Sequence, residues 1–521
     1  MMTSKRQEAV FELVRSMSKA EKRNFRLYAR RNAGNGGAKF VTLFDALDAM
    51  EEYDEARVLK KTGIRKEQLP NMKAYLYRQI LVSIRLLNVQ HVEVMEIRET
   101  IDFARVLYDK SMFRQALTML DRAKRQALDA QKFTLALEIV EFEKRIESIF
   151  MQRSTTSRAE ELSNQARMLA ERIANINQLS NLSVQLYGLN LQLGYVRSEK
   201  DRKMVTDFFR ERLEAFDDRG MSFHERLYLY QARMWYHYIR HDFVMCYRYA
   251  RRWVGLFDER PDQRAVYYDL YVRAVARLLD VLFMTRRHDR MADAIAKFER
   301  ELAQVVPMTE NLTILSNLCL LQAKINLHFL EGSFAEGIEL AERVDEFVRA
   351  YGRYVDEHHL MLLAYKVACM YFGNGDYKRC MSYLHRIISI PNPQFRCDLQ
   401  VFARILHLIA SYEAGEDYSL EYQIRNVYAF VVKMNDMHAV QHEIITFLKR
   451  IPHTYASDFR GELVRLYERL KPFENHPYER RPFFYLDIIS WLESKIRNIP
   501  IAEIIRNKYL GKRSEVAGYW G

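Results

Sequence analysis

The chain has 521 residues, 49% hydrophobic and 28% charged, enough apolar surface for a large core and too much for a disordered chain. With only 18 glycines and 10 prolines it has few tight turns, β-hairpins or phosphate-cradling loops, which points to helix. The net charge is +12, and residues 1–90 hold 18 Lys and Arg against 10 Asp and Glu, a local excess that favours an anionic partner.

In chain order, the opening MMTSKRQEAV has no apolar signal core and no small-residue cleavage site, so no leader is expected. Ser18 and Glu21 form a capping box at the start of a helix, which the loop GNGG at 34–37 should end. A second helix is expected from Phe40 to Glu52, and a long one from Pro70, well placed in a first turn, to Val92. On the first of these, Lys19, Lys22, Arg23, Arg26 and Arg30 fall on about a third of the circumference at ~100° per residue, with Phe25 and Tyr28 turned away. Such a row suits phosphate contact, so residues 1–95 are read as a basic helical N-terminal domain that could meet nucleic acid. The segment LKKTGIRKEQL (59–69) loosely matches a helix-turn-helix, but Pro70 would fall in its reading helix, where proline breaks helices.

Residues 96–445 carry an internal pattern: an aromatic or apolar anchor, two variable residues, a small residue, then an amphipathic helix. It appears as DKSMFRQA, IRHDFVMC, RHDRMADA, LEGSFAEG, GNGDYKRC and AGEDYSLE, with anchors Phe113, Phe243, Met291, Phe334, Tyr377 and Tyr418. The last four gaps are 48, 43, 43 and 41 residues. The first is 130, close to three units, and degenerate copies near Arg158 and Met204 are expected to fill it. A fixed period of this size marks stacked helical hairpins. The anchor opens the second helix of each hairpin. The residue three later must be small because the helices approach there, as Ala116, Cys246, Ala294, Gly337 and Cys380 are.

This pattern resembles the tetratricopeptide repeat superfamily over roughly residues 100 to 430, with a longer unit than the usual ~34 residues and no consistent proline closing each second helix. The resemblance implies an all-α fold, a right-handed α-solenoid whose first helices line a concave groove that holds a protein or peptide segment. Residues 446–521 are then a helical cap and tail. Five of the ten prolines lie at 452, 472, 477, 482 and 500, FFYLDIISWLESKI (483–496) is an amphipathic helix that would cover the last hairpin, and GKRSEVAGYWG is expected to fray.

Arginine dominates one stretch. Between Lys203 and Lys297 there are 16 arginines and no lysine. Arg226, Tyr230, Arg233, His237 and Arg240 share one helix face, and the next first helix adds Arg273 and Arg277. If first helices line a groove, these seven residues would grip an acidic segment, since Arg presents a planar fork to carboxylates. The plainer alternative is a set of structural ion pairs with Asp242, Asp269 and Asp280, or a solvated face.

Other candidates point to structure. His237 and His241 are four apart, as are His438 and His442, but neither pair has a third ligand, so no metal is expected. Cys246 and Cys380 stand at the small position of their repeats, where a buried thiol behaves as a small hydrophobe. The five cysteines (246, 319, 369, 380 and 397) include no CxxC, which fits a reducing, cytoplasmic setting. The most apolar run, Leu312 to Leu330, is interrupted by Ser316, Asn317, Gln322, Lys324, Asn326 and His328, too polar to span a membrane. GNGGAKF lacks the rest of a phosphate loop, no GxSxG or zinc motif occurs, and neither cofactor nor catalysis is expected. The expected function is a non-enzymatic scaffold or adaptor that binds protein or peptide. The alternative is a nucleic-acid-linked regulator whose N-terminal face contacts DNA while the repeats sense a partner.

Overall fold

The structure, a computed structural model, describes residues 2–32, 38–88, 93–149, 156–193, 196, 198–213, 216–305, 308–390, 396–415, 420–434, 439–450, 459–476 and 487–518. Every regular element among them is helical. The chain forms two compact units, Met1–Ala174 and Asn175–Gly521, which divide inside one long helix. The boundary expected near residue 95 thus lies within the first unit, and residues 446–521 belong to the second unit together with the hairpins that precede them.

The first unit opens with α1 (Met2–Ser16), α2 (Lys19–Asn32), α3 (Ala38–Asp48), α4 (Glu55–Thr62) and α5 (Leu69–Asn88). They enclose Phe25, Leu43, Phe44 and Leu47, none of them accessible to solvent. The capping box forms. The Glu21 amide donates to Ser18 Oγ at 3.2 Å and the Ser18 amide to Glu21 Oε2 at 2.7 Å. Helix α4 ends at Gly63, whose φ of 64° is one that glycine adopts without strain. Because α5 begins at Leu69, Pro70 sits in its first turn, where a missing N–H costs nothing, and the helix continues unbroken. The loop 34–37 and residues 89–92 lie outside the described residues. Next come α6 (Glu93–Asp109), α7 (Phe113–Asp129), α8 (Phe133–Glu147) and the start of α9 (Thr156–Leu193). Lys124 and Glu143 pair at 2.6 Å between α7 and α8, with the Glu143 side chain fully buried.

The second unit continues α9, then α10 (Glu199–Leu213), α11 (Phe223–Ile239), α12 (Phe243–Glu259), α13 (Pro261–Val266), α14 (Tyr268–Met284) and α15 (His288–Leu302). It proceeds through α16 (Glu310–Glu331), α17 (Phe334–Gly337), α18 (Glu339–Tyr351), α19 (Glu357–Gly373), α20 (Tyr377–Ile388), α21 (Cys397–Glu413) and α22 (Leu420–Met434). Then follow α23 (Ala439–Arg450), α24 (Phe459–Leu470), α25 (Ile488–Arg497) and α26 (Ile501–Gly518). Helix α11 pairs with α12, α14 with α15, α16 with α17 and α18, and α19 with α20; first helices also pack on the next first helix, α14 on α16 and α16 on α19. This neighbour-to-neighbour packing is compatible with a helical repeat architecture.

One turn recurs in both units. Ser111, Gln131, His241, Arg286, Gly332 and Gly375 all have left-handed φ between 52° and 80°. The next amide then donates to a carbonyl five residues back: Met112 to Leu107, Lys132 to Ala127, Asp242 to His237, Arg287 to Leu282, Ser333 to His328 and Asp376 to Tyr371, at 2.7–3.2 Å. This Schellman closure satisfies orphaned carbonyls at the end of the first helix. The second helix begins one residue on, at Phe113, Phe133, Phe243, His288, Phe334 and Tyr377.

The turn corrects the repeat alignment at two places. The anchor of α15 is His288, not Met291. Met291, with no exposed surface, fills the slot assigned to Ala294, so this slot need not be small. Phe133 heads a copy that the sequence pattern missed. Arg158 lies in the first turn of α9, a 38-residue helix that opens at Thr156, and residues 150–155 before it lie outside the described residues. Tyr418 and residues 477–486 are outside the described residues.

At the C-terminal end, α25 starts at Ile488 with Asp487 accepting from the Ser490 amide at 3.0 Å. Trp491 Nε1 donates to Glu413 at 2.7 Å, and Lys495 pairs with the same carboxylate. Helix α26 runs to Gly518 and folds back on α16, and its Tyr509 Oη lies 3.0 Å from Nδ1 of His288 at the start of α15. No helix among the described residues is long and apolar enough to cross a membrane.

Candidate ligand-binding groove

In the second unit, α11, α14, α16, α19 and the C-terminal part of α9 each turn one stripe toward a common cavity of 960 Å³. Helix α11 supplies Tyr228, Gln231, Trp235 and Tyr238, spaced three, four and three apart and therefore on one face. Helix α14 supplies Arg273, Arg277 and Asp280, and α16 supplies Cys319, Gln322 and Asn326 by the same spacing. His358, Tyr365, Lys366 and Cys369 come from α19, and Tyr187 from α9. Tyr187, Trp235 and Tyr238 form an aromatic wall, with ring centroids 5.1 Å and 5.5 Å apart across Trp235.

The floor is charged. Arg277 pairs with Asp280 at 3.0 Å and lies 5.7 Å from the centre of the Trp235 ring. Lys366 is 8% exposed and has no hydrogen-bond or ion-pair partner among the described residues. Burial away from water pushes its ammonium down to about 8, against the pull of Asp280 and with the push of Arg277. Arg277, Asp280 and Lys366 together leave one positive charge in excess. Gln322 Nε2 and Asn326 Oδ1 are buried without partners. Cys319 and Cys369 stay thiols, since burial pushes both up to about 12. Near the start of α21, Arg396 grips Asp398 with two bonds of 2.8 Å and donates to His358 Nδ1 at 2.6 Å. Burial first, then the Arg396 charge, push His358 down to about 3, so its ring is neutral.

The structure divides the seven groove candidates. Arg273 and Arg277 line the cavity. Arg226, Tyr230, Arg233, His237 and Arg240 lie on another side of α11 and engage the protein itself. Arg226 pairs with Glu259 at 3.1 Å, Tyr230 donates to Asp218 at 2.9 Å, and Arg233 donates to the Phe216 carbonyl at 2.8 Å. His237 meets Asp242 at 3.1 Å, and Arg240 donates to the Tyr236 hydroxyl. The cavity-facing set lies two residues further along, about 200° round the helix. Its only trace in the sequence is a largely aromatic stripe at the three- and four-residue steps of a helix face.

The N-terminal stripe divides as well. Lys22 pairs with Asp48 at 2.7 Å, and Arg26 bridges Asp45 and Asp48 at 3.0 and 2.7 Å, tying α2 to α3. Lys19, Arg23 and Arg30 are exposed and have no partner among the described residues. Among the histidines, His241 sits in the left-handed turn with its ring stacked on Phe243, so it does not share a helix face with His237. His438 lies outside the described residues, among which no group of three or more His, Cys, Asp or Glu could hold a metal ion. Cys246 is fully buried, its Sγ 3.7 Å from the Met234 carbonyl oxygen, and burial pushes its thiol far up.

No family model matches the chain, and no curated protein matches it in sequence.

Proposed function

We propose that this chain is a non-enzymatic binding protein, a cytoplasmic scaffold or adaptor of long tetratricopeptide-like hairpins in a right-handed solenoid, which holds a protein or peptide segment in the groove of its second unit. One observation carries the reading: five helices, α9, α11, α14, α16 and α19, converge on a cavity with an aromatic wall and two cations, Arg273 and Lys366, that have no partner among the described residues. Apolar lining with a few convergent polar groups is the usual make-up of a ligand site. The excess charge favours a segment with acidic character. The thiols in the cavity are held protonated, which suits a receptor rather than a nucleophile.

Selection of a random peptide library on the full chain tests the reading. Selected peptides should lose binding when Trp235 or Arg273 is replaced by Ala and keep it when Arg233 is. Equal binding to all three variants refutes the groove.

A second reading, a nucleic-acid-linked regulator, draws on the exposed, unpaired Lys19, Arg23 and Arg30. Replacing these three with Gln should then weaken DNA or RNA binding for all sequences alike and flatten its salt dependence. A parent chain that binds no nucleic acid at low salt ends that reading.

A further inference from the structure

A buried lysine without a partner is a costly thing for a fold to keep. An isolated charge out of water is destabilising unless something pairs with it. Lys366 is in that condition. It projects from α19 into the cavity, and the one carboxylate within electrostatic reach, Asp280, is already held by Arg277 at 3.0 Å. Its other neighbours in the field are Arg277, which repels it, and the thiols Cys319 and Cys369. Two residues of α16 that line the same space, one turn apart, carry buried atoms with no hydrogen-bond partner, the donor Gln322 Nε2 and the acceptor Asn326 Oδ1. Between this floor and the aromatic wall stands Arg277, beside both the Trp235 ring and Lys366.

We infer that Lys366 receives a single carboxylate, carried on a ligand with a planar apolar body that lies along Tyr187, Trp235 and Tyr238. The inference rests on the groove being a ligand site and names the chemistry at its floor. The carboxylate supplies the partner that the Lys366 ammonium lacks. Gln322 Nε2, now buried without a partner, gains one by turning its side chain toward the bound carboxylate. Arg277 contributes field but not the primary contact, because its fork is engaged by Asp280. The body is planar because the wall consists of rings spaced for stacking and edge contacts. Two sources offer this chemistry: a free aryl carboxylic acid, or a peptide whose C-terminal residue is aromatic.

The test uses the full chain and two pairs of probes, followed by calorimetry. One pair is indole-3-propionate and its primary amide; the other is a short Gly/Ser peptide ending in Trp, as free acid and as C-terminal amide. At least one acid should bind saturably and its amide about 10-fold or more weakly, the loss of one charge-assisted hydrogen bond. In Lys366→Met that preference for acid over amide should vanish, while thermal stability is at least kept. A second readout is independent of affinity. Acetylation by a water-soluble active ester near pH 8, mapped by mass spectrometry, should modify Lys366 readily in the free chain, and the bound acid should protect it. Binding of the free acid, of the peptide, or of both supports the assignment and tells which source fits. Acid and amide of equal affinity, an unchanged acid preference in Lys366→Met, or no saturable binding of either acid at millimolar concentration overturns it. If library-selected peptides depend on Trp235 and Arg273 but are indifferent to Lys366→Met, the groove stands and the Lys366 assignment falls. If the free acid binds through Lys366 and no polypeptide binds, the assignment stands and the scaffold reading falls.

Discussion

The ring of Phe334 occupies the place where a side chain on Gly373 would have to go: an ideal Cβ at Gly373 would come within 2.6 Å of the ring. Phe334 opens α17 and Gly373 closes α19, so the anchor of one hairpin is fitted against the first helix of the next. Gly373→Ala must push one element aside, and overpacking of this kind costs about 1–3 kcal/mol. Gly255, in α12, has no atom within 4 Å of its ideal Cβ. Gly255→Ala should stabilise by up to about 1 kcal/mol, because glycine inside a helix is entropically costly. Urea melts of the two variants check the contrast, and a Gly373→Ala chain as stable as the parent would mean that the anchor does not fill this gap.

Cys246 gives a second packing prediction. It has no exposed surface and faces the Met234 carbonyl across the α11–α12 contact. Cys246→Trp should lower stability by about 1–3 kcal/mol or more, and Cys246→Ala by less, since only one sulfur is removed. Differential scanning calorimetry separates the two, and equal shifts would contradict the close approach of these helices.

Much of this packing was legible because the anchors are chemically distinctive. Phe113, Phe243, Phe334 and Tyr377 each begin a helix, and Ser18 and Glu21 pair as a capping box should. The misreadings have physical causes. At α15 the turn residue is Arg286, not glycine, and the anchor is His288, so Met291 three positions on offered the better apolar match. On α11 two stripes both follow the three- and four-residue steps of a helix face, 226, 230, 233, 237 and 240 with three arginines and 228, 231, 235 and 238 with three aromatics. Periodicity fixes which residues share a face but not which neighbour that face meets.

The arginine stripe of α11 is therefore expected to act in stability. Arg233 donates to the Phe216 carbonyl and also lies 5.5 Å from the Tyr249 ring centre. Arg233→Ala should cost about 1 kcal/mol, a typical net value for a lost hydrogen bond. Arg273 is exposed toward the cavity and has no partner among the described residues, so Arg273→Ala should leave stability within about 0.5 kcal/mol. Chemical denaturation of both variants checks the difference, and the reverse order would mean that Arg233 does not hold α11 in place.

Lys366 predicts a pH dependence. Its folded-state value of about 8 lies below the ordinary 10.5, so between those limits the unfolded chain binds more protons and stability rises with pH. Below about 8 the lysine is charged in both states and its burial penalty is constant. Lys366→Met should thus be more stable than the parent at pH 7, by on the order of 3 kcal/mol from the shift alone. The advantage should shrink as pH climbs from 8 toward 10.5. Paired denaturation curves across that range check it, and a variant whose advantage is absent at pH 7 or grows with pH would mean that Lys366 is solvated or paired.

The central claim is that the face shared by α9, α11, α14, α16 and α19 is where a partner binds. Site-specific photo-cross-linking tests it most directly, with a benzophenone side chain placed at Gln231 inside the cavity or at Arg251 on the exposed side of α12. Irradiated in the presence of a library-selected peptide, the Gln231 chain should form a covalent adduct that Arg273→Ala abolishes, and the Arg251 chain should form none. Adducts of equal yield from both positions, or from Arg251 alone, would contradict the groove.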